Sequence, residues 1–438
     1  MITHVKRVVI VGGGSSGWLT AASLYNNPAL DVTLIDKEVS TPVSVGEATL
    51  LNFENWLENH CGFNSEEFLA ELDIGLKAGI LFPDWGYEGS NIWHPFLFPP
   101  GEKHLYECSM NNMVDKNRLE DSYAYHIDCI KLIEYIKKKI HINFIQSGVN
   151  NIERDDSGIS SLTLENGEVI TADLYVDCTG FKSILKDKRD RVDLSDRLYV
   201  DSAIAGHVNY IDEKEFHPYV SCPAVDHGWI WKIPLRTRIG TGLVFNRTVT
   251  DIEEAKEYFS DYWNGRADNL RFIDWTPYYD TNMWDKNVVS IGLSAGFIEP
   301  LESTGLALII EGISVLSRLI RTGYYNQYDL DYFNTFMVFS FESYIDFVNG
   351  HYSKSYKDTK FWRYVRDIYK PSKTLEFYIN HLNSYDDPIV GGKELIFGGS
   401  NWIEWLTQMG YNNSLNTFEP EPTTTKDLVN HLELLYGR

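Results

Sequence analysis

Near the start of the chain stands RVVIVGGGSSGWLTAASLY, followed after a short break by DVTLID, and few folds accommodate that order. An apolar run with no polar alternation, ending in glycines, is the pattern of a buried parallel strand. SGWLTAASLY carries its apolar residues at helical spacing, and DVTLID is a second strand, so residues 7–36 predict strand, glycine turn, helix, strand. Gly12, Gly14 and Gly17 make a GxGxxG at the turn, and Asp36 closes the second strand 19 residues after Gly17. The glycines allow a tight turn and close backbone approach, so a pyrophosphate can rest on the helix N-terminus. Asp36 can then accept from a ribose hydroxyl. With strand, helix and acid all in place, the expectation is a bound dinucleotide rather than an empty glycine turn.

The later chain favours FAD over NAD. One strand ends in Asp177-Cys178-Thr179-Gly180 and another runs into Gly292, as in the later contacts of a flavoprotein fold. No second fingerprint follows, because the GTG at 240–242 does not precede a helix. The expected fold class is α/β: an FAD-binding Rossmann-type core resembling the GR2-like flavin monooxygenases, with an antiparallel sheet over 198–250 and a mainly helical C-terminal substrate part. Residues 1–330 are expected to form the FAD-binding core, with substrate-pocket segments inserted at about 86–125, and 331–438 the helical part. In finer detail the patterns predict a helical stretch over 63–77, irregular walls over 86–105, a helix over 123–140 and a hairpin at Asn166-Gly167.

Composition removes several classes of function. A net charge of −23 over 438 residues repels nucleic acid and anionic lipid. Five scattered cysteines with no CxxC pair offer neither a disulfide framework nor a zinc site, and they suit a reducing compartment. The longest apolar stretch, GLALIIEGISVL, contains Glu311 and is too short to span a bilayer, so a soluble cytoplasmic protein is expected. Aromatic residues make up 14% of the chain, which fits an ordinary core as well as a site for flat ligands.

The segment GWIWKIPL, from Gly228 to Leu235, sets two tryptophans one residue apart before an Ile-Pro step that should end a strand. Alternation puts Trp229 and Trp231 on one face and Ile230 on the other. Trp229, Trp231, Ile233 and Pro234 form the WxWxIP signature of flavin-dependent halogenases, the tryptophan halogenase family, which this sequence resembles. Further matches follow in family order: VGGGSSGW at 11–18, GEAT at 46–49, the lysine of LDIGLKAGI, HPF at 94–96, YHID at 125–128 and GFIEPLESTG at 296–305. DFVNGHY at 346–352 and DTKFW at 358–362 extend the likeness toward the C-terminus.

The resemblance implies an enzyme that takes FADH2 from a separate flavin reductase and uses it with O2 and halide (chloride, bromide or iodide). Hypohalous acid made at the flavin would travel to a second pocket and halogenate an electron-rich ring of indole or phenol type. Lys77 would meet the oxidant there, as a hydrogen-bond donor or as a haloamine, and Glu302 would orient it or take the ring proton. Glu47, Ala48 and Thr49 match the strap over the flavin, and His94 and Phe96 match substrate-lining positions. Trp229 and Trp231 would form the wall between flavin and substrate. Independently of the family, Ser303, Thr304 and Gly305 stand where a long apolar helix begins, and free amides there attract an anion such as halide. Simple N-capping by Ser303 or Thr304 is the plainer account of that turn. The chain is shorter than the tryptophan-specific members and shows no counterpart of the segment with which they hold free tryptophan, so the substrate stays open. An aromatic hydroxylase of the same fold and a non-catalytic flavin-binding protein are the alternatives. A homo-oligomer is compatible with the sequence, and no metal site is expected.

Overall fold

A computed structural model describes residues 2–37, 46–72, 74–96, 123–187, 190–212, 215–384 and 397–411. In chain order, the first elements that build the site are β1 (Arg7–Val11), α1 (Ser15–Tyr25), β2 (Asp31–Asp36) and β3 (Glu47–Ala48). They are followed by α2 (Ser65–Glu71), β4 (Gly75–Lys77), β5 (Gly79–Pro83), β6 (Asn91–Pro95), β7 (Ala124–Ile127), α3 (Cys129–Lys139) and β8 (Asn143–Gln146). Next come β9 (Leu174–Asp177), β10 (Ser202–Val208), β11 (Val220–Ser221), β12 (Gly228–Pro234), β13 (Ile239–Phe245) and β14 (Asp268–Asp274). The last are β15 (Trp284–Asp285), β16 (Val288–Ser290), α4 (Thr304–Leu319), α5 (Gln327–His351) and α6 (Gly399–Gln408).

Six strands in the order β15-β16-β9-β1-β2-β8 form the Rossmann-type sheet, parallel except for β15. β1 lies in its middle and is buried from Val8 to Val11, which is why that strand reads as an unbroken apolar run. A second, mostly antiparallel sheet has eight strands and runs β14-β10-β13-β12-β11-β5-β6, with Ala224–Val225 paired to β12. A three-stranded sheet, β3-β7-β4, carries Glu47 at one edge and Lys77 at the other. Among the described residues, no helix is long and apolar enough to cross a membrane.

The alternation in GWIWKIPL is as the pattern predicts. Trp229 and Trp231 join the main core, and Ile230 joins a separate cluster with Ile204, Leu243 and Phe245. The strand ends at Pro234. The space for the Trp231 ring comes from Gly242 on β13, where a Cβ would lie 2.1 Å from the indole.

Four local expectations change. Helix α2 stops at Glu71 and residues 75–77 are strand, while 124–127 form a strand before the helix that Asp128 caps. Both segments pair with each other, and that tertiary pairing overrides their helical spacing. The segment GEAT, whose composition by itself reads as a loop, contributes β3 through its pairing with β7. Residues 91–95 are strand rather than irregular wall, paired with β5, and 97–105 lie outside the described residues, as does most of the proposed insertion. The hairpin at Asn166-Gly167 is present, joining Gly158–Leu164 to Val169–Ile170, with Gly167 at φ +86°.

Candidate active site

The glycines of the fingerprint do two different jobs. A Cβ on Gly12 would lie 2.3 Å from the Cys178 carbonyl, and one on Gly17 would lie 1.8 Å from the Gly12 carbonyl. Those two positions close the strand–helix turn and admit no side chain. Gly14 is different: a Cβ there meets no atom within 4 Å, and the residue faces a cavity of about 420 Å³. Gly180 and Gly305 have the same open space and line the same cavity; Gly292 lines it too, although a Cβ there would lie 2.9 Å from Ser16. Asp36 ends β2 beside the turn, its carboxylate within 2.5 Å of where a Gly13 Cβ would be. Three bare backbone positions facing one cavity, with an acid at the end of β2, fit FAD. These residues would hold it along the turn, and when bound it would supply the chemistry with O2.

Glu47 and Ala48 line the cavity, and burial pushes the Glu47 carboxyl up to about 7. Thr49 does not line it. Its hydroxyl accepts from the Tyr125 amide at 2.9 Å and its carbonyl accepts from Lys77 Nζ at 3.0 Å. Glu302, Ser303, Thr304 and Gly305 line the same cavity, with Trp231 in its wall, whereas Lys77, His94 and Phe96 stand outside that lining.

Lys77 is fully buried, and its Nζ also donates to Ser303 Oγ at 2.9 Å and lies 5.3 Å from the Phe96 ring centre. Burial lowers it to about 8, with the Glu302 charge acting in the opposite direction. Neighbouring His126, driven down to about 3 by burial and by the Lys77 charge, is neutral. Ser303 does not cap α4 with its side chain; its hydroxyl is turned to Lys77, and the helix start is left facing the cavity. The turn that arranges this is strained. Glu302 (φ +62°) and Ser303 (φ +59°) are consecutive non-glycine residues in the left-handed region, at about 1–2 kcal/mol each.

Glu302 is held by two imidazoles. His94 Nδ1 lies 2.8 and 2.9 Å from its two oxygens, and His351 Nε2 lies 2.7 Å from Oε1. Burial alone would raise this carboxyl, but the positive charge and hydrogen bonds of the histidine pair outweigh it and hold it below the usual carboxylate range. His94 therefore bonds the carboxylate directly, while its ring lies 5.2 Å from Phe347 and 5.8 Å from Phe397. The two tryptophans part company: Trp231 lines the cavity, whereas Trp229 Nε1 donates to the Tyr352 hydroxyl at 3.0 Å. That hydroxyl donates to Glu299 at 2.8 Å, and burial raises Glu299 to about 8. Sequence reasoning singled out neither His351 nor Asn401, which contacts His94 Nε2 at 2.9 Å. The DFVNGHY match contained the histidine, but nothing local pairs it with an acid 49 residues earlier.

A Rossmann-type unit whose cavity is lined both by the glycine turn and by buried Glu302, with Lys77 bonded to Ser303 of that lining, defines a fold of the flavoprotein class. The chain belongs to the tryptophan halogenase family, whose model matches residues 7–118 and 101–417. It is 29% identical over 425 residues to the tryptophan 6-halogenase ThaL of Streptomyces albogriseolus, covering 84% of this chain and 80% of that protein. Its fold matches a flavin-dependent halogenase from Xanthomonas campestris at a TM-score of 0.83 and 25% identity, over 99% of this chain and 94% of that one. BrvH, a flavin-dependent halogenase from Brevundimonas, matches at 0.79 and 27% identity, over 98% and 95%. The protein is therefore an enzyme, a flavin-dependent halogenase that uses reduced FAD from a separate reductase, O2 and halide on an electron-rich aromatic. Family membership selects this over the hydroxylase and the non-catalytic alternatives.

Proposed function

We propose that Lys77 and Glu302 carry out the halogenation, Lys77 by receiving the oxidant and Glu302 by taking the ring proton. The observation that carries this is the bond from Lys77 Nζ to Ser303 Oγ, which brings the lysine to the residue next to Glu302, both of them in the cavity lining. Reduced FAD, with O2 and halide, supplies hypohalous acid. With a group held near 8, most Lys77 at pH 7 is ammonium and donates to the oxidant's oxygen, polarising the O–halogen bond. The amine fraction can instead exchange a proton for halogen, releasing water and leaving a haloamine. Either way halogen reaches the ring, and the ring proton passes to the Glu302 carboxylate. The substrate is a small arene of indole or phenol type lying on the side of His94 and Phe96, with Trp231 between it and the flavin. The relatives named for tryptophan keep tryptophan itself within that class. Residues 1–330 serve as the flavin and halide part, and 331–438 close the substrate side, supported by the reach of His351 and Asn401 to the Glu302 cluster. A cytoplasmic setting suits the free thiols Cys61, Cys129, Cys178 and Cys222. Small phenols and indoles, offered with chloride, bromide and iodide and read by mass spectrometry, test the activity. Oxygenated product formed regardless of halide would defeat it.

Two expected results concern the chamber. Gly14→Ala should fold normally, since its φ of −77° suits alanine and its Cβ meets no protein atom, yet it should weaken FAD about tenfold or more by intruding on the cofactor. A flavin titration with a parallel melting curve checks this; unchanged affinity would mean that FAD does not pass over Gly14. Thr304→Pro, at a φ of −69° that proline accepts, removes one amide at the start of α4. It also restricts Ser303 at φ +59° and deletes the Thr304 Oγ1 bond to the Glu299 carbonyl, so a melting curve comes first. The halide KM should rise about tenfold or more while FAD affinity holds, and an unchanged halide KM in the folded variant would put the anion elsewhere.

A further inference from the structure

The hydrogen-bonding inventory around Glu302 places one proton that no single residue accounts for. His351 Nδ1 lies 2.8 Å from the Phe347 carbonyl, an oxygen that can only accept, so Nδ1 carries a hydrogen. Its other nitrogen faces Glu302 Oε1 at 2.7 Å, where a lone pair against a carboxylate would repel. A proton must lie between them. His94 is different. Asn401 Oδ1 accepts from the Gly398 amide at 2.9 Å, which leaves Asn401 Nδ2 facing His94 Nε2 as the donor. His94 is thereby an acceptor at Nε2 and a donor at Nδ1. The Glu302 carboxylate pulls its protonation upward against burial, but the Asn401 donor on Nε2 leaves that nitrogen no hydrogen, so the ring is a neutral imidazole giving one hydrogen to Glu302.

We infer that His351 and Glu302 form a buried ion pair sharing that proton, with His351 as the positioning residue that keeps Glu302 an anion in a dry site. The surroundings favour the charge on the imidazole. Trp405 of α6 stacks on it at 3.8 Å and 29°, and Phe347 and Phe82 lie at 5.0 and 5.1 Å. Oε2, which among the described residues bonds His94 alone, is left to take the ring proton: the C–H bond breaks, an O–H bond forms, and the electron pair returns to the ring. The other charged or titratable groups bearing on Glu302 are Lys77 from β4 and Cys222 beyond β11, with Glu299 three residues before it and Glu404 of α6 acting on His94. Among the described residues, none of these supplies a second cation on the His351 side. Helix α6, which stacks Trp405 on one imidazole and bonds Asn401 to the other, thus backs both groups that set the state of the acid.

The inference rests on the assignment of Glu302 as proton acceptor, and its test separates the two. In protein labelled with ¹⁵N-histidine, the His351 signals, assigned by their loss in His351→Gln, should show both ring nitrogens protonated at neutral pH. One bare nitrogen overturns the ion pair, whatever Glu302 does in catalysis. The second measurement is the pH profile of halogenation with chemically reduced FAD. A carboxyl held low keeps its charge into acid, so activity that needs the carboxylate persists there. His351→Gln can still donate but carries no charge, so the Glu302 pKa should rise and the acid limb should move up by about one pH unit or more. An unmoved limb in the folded variant overturns the positioning role. Full activity in Glu302→Gln would sink the acceptor assignment instead, and the NMR result would stand apart from it.

Discussion

Lys77→Met is expected to abolish halogenated product, a loss of about 10³-fold or more, while oxygen consumption stays close to the parent rate. Methionine keeps much of the side-chain length in a site with no exposure, so the packing around β4 should survive. What disappears is the nitrogen, and with it the bonds to Thr49 and Ser303 and the group that meets the oxidant. Since the lysine acts after the flavin has reacted, unspent hypohalous acid should leave the protein and bleach a scavenger dye. Halogenation near the parent rate would remove Lys77 from the chemistry. Loss of oxygen consumption, with folding intact, would assign it to the flavin step.

Glu302→Gln should slow product formation by about 10²-fold, less completely than the lysine change, because the amide keeps the shape but cannot take the ring proton. The amide also offers one acceptor oxygen where the carboxylate accepts from two imidazoles. One histidine N–H is then left facing an N–H, so the variant should also melt lower, and melting must be measured before rates. Oxygen consumption should hold and free oxidant should accumulate. A folded variant at full rate would show that another group takes the proton.

These two residues illustrate how far local pattern carries. Lys77 was reachable from the motif around it, although its helical spacing misplaced it on a helix instead of a strand. Its burial, which lowers it toward neutrality, could not be read from LDIGLKAGI. Glu302 was reachable from ESTG at the head of an apolar helix, but its left-handed backbone was not, because a glutamate gives no compositional sign of positive φ. The paired tryptophans carried their common face in the alternation, but not their different contacts: Trp231 borders the cavity, while Trp229 bonds Tyr352, which bonds Glu299.

The sequence by itself determined what short-range sterics and periodicity dictate: the βαβ unit with Gly12, Gly14, Gly17 and Asp36, the strand of GWIWKIPL with its two faces, and the helix that begins at Thr304. Each depends on residues within a few positions of one another, so each leaves a local trace. Tertiary structure alone decided that 75–77 and 124–127 pair as strands, that Thr49 turns from the cavity to hold Lys77, and that His94, His351 and Asn401 converge on one carboxylate region. Those partners lie far apart along the chain, and a single contact between distant residues imposes no spacing on either segment. The energy that fixes them comes from burial and from satisfying polar groups in a dry interior, and that is defined only once the chain has closed around them.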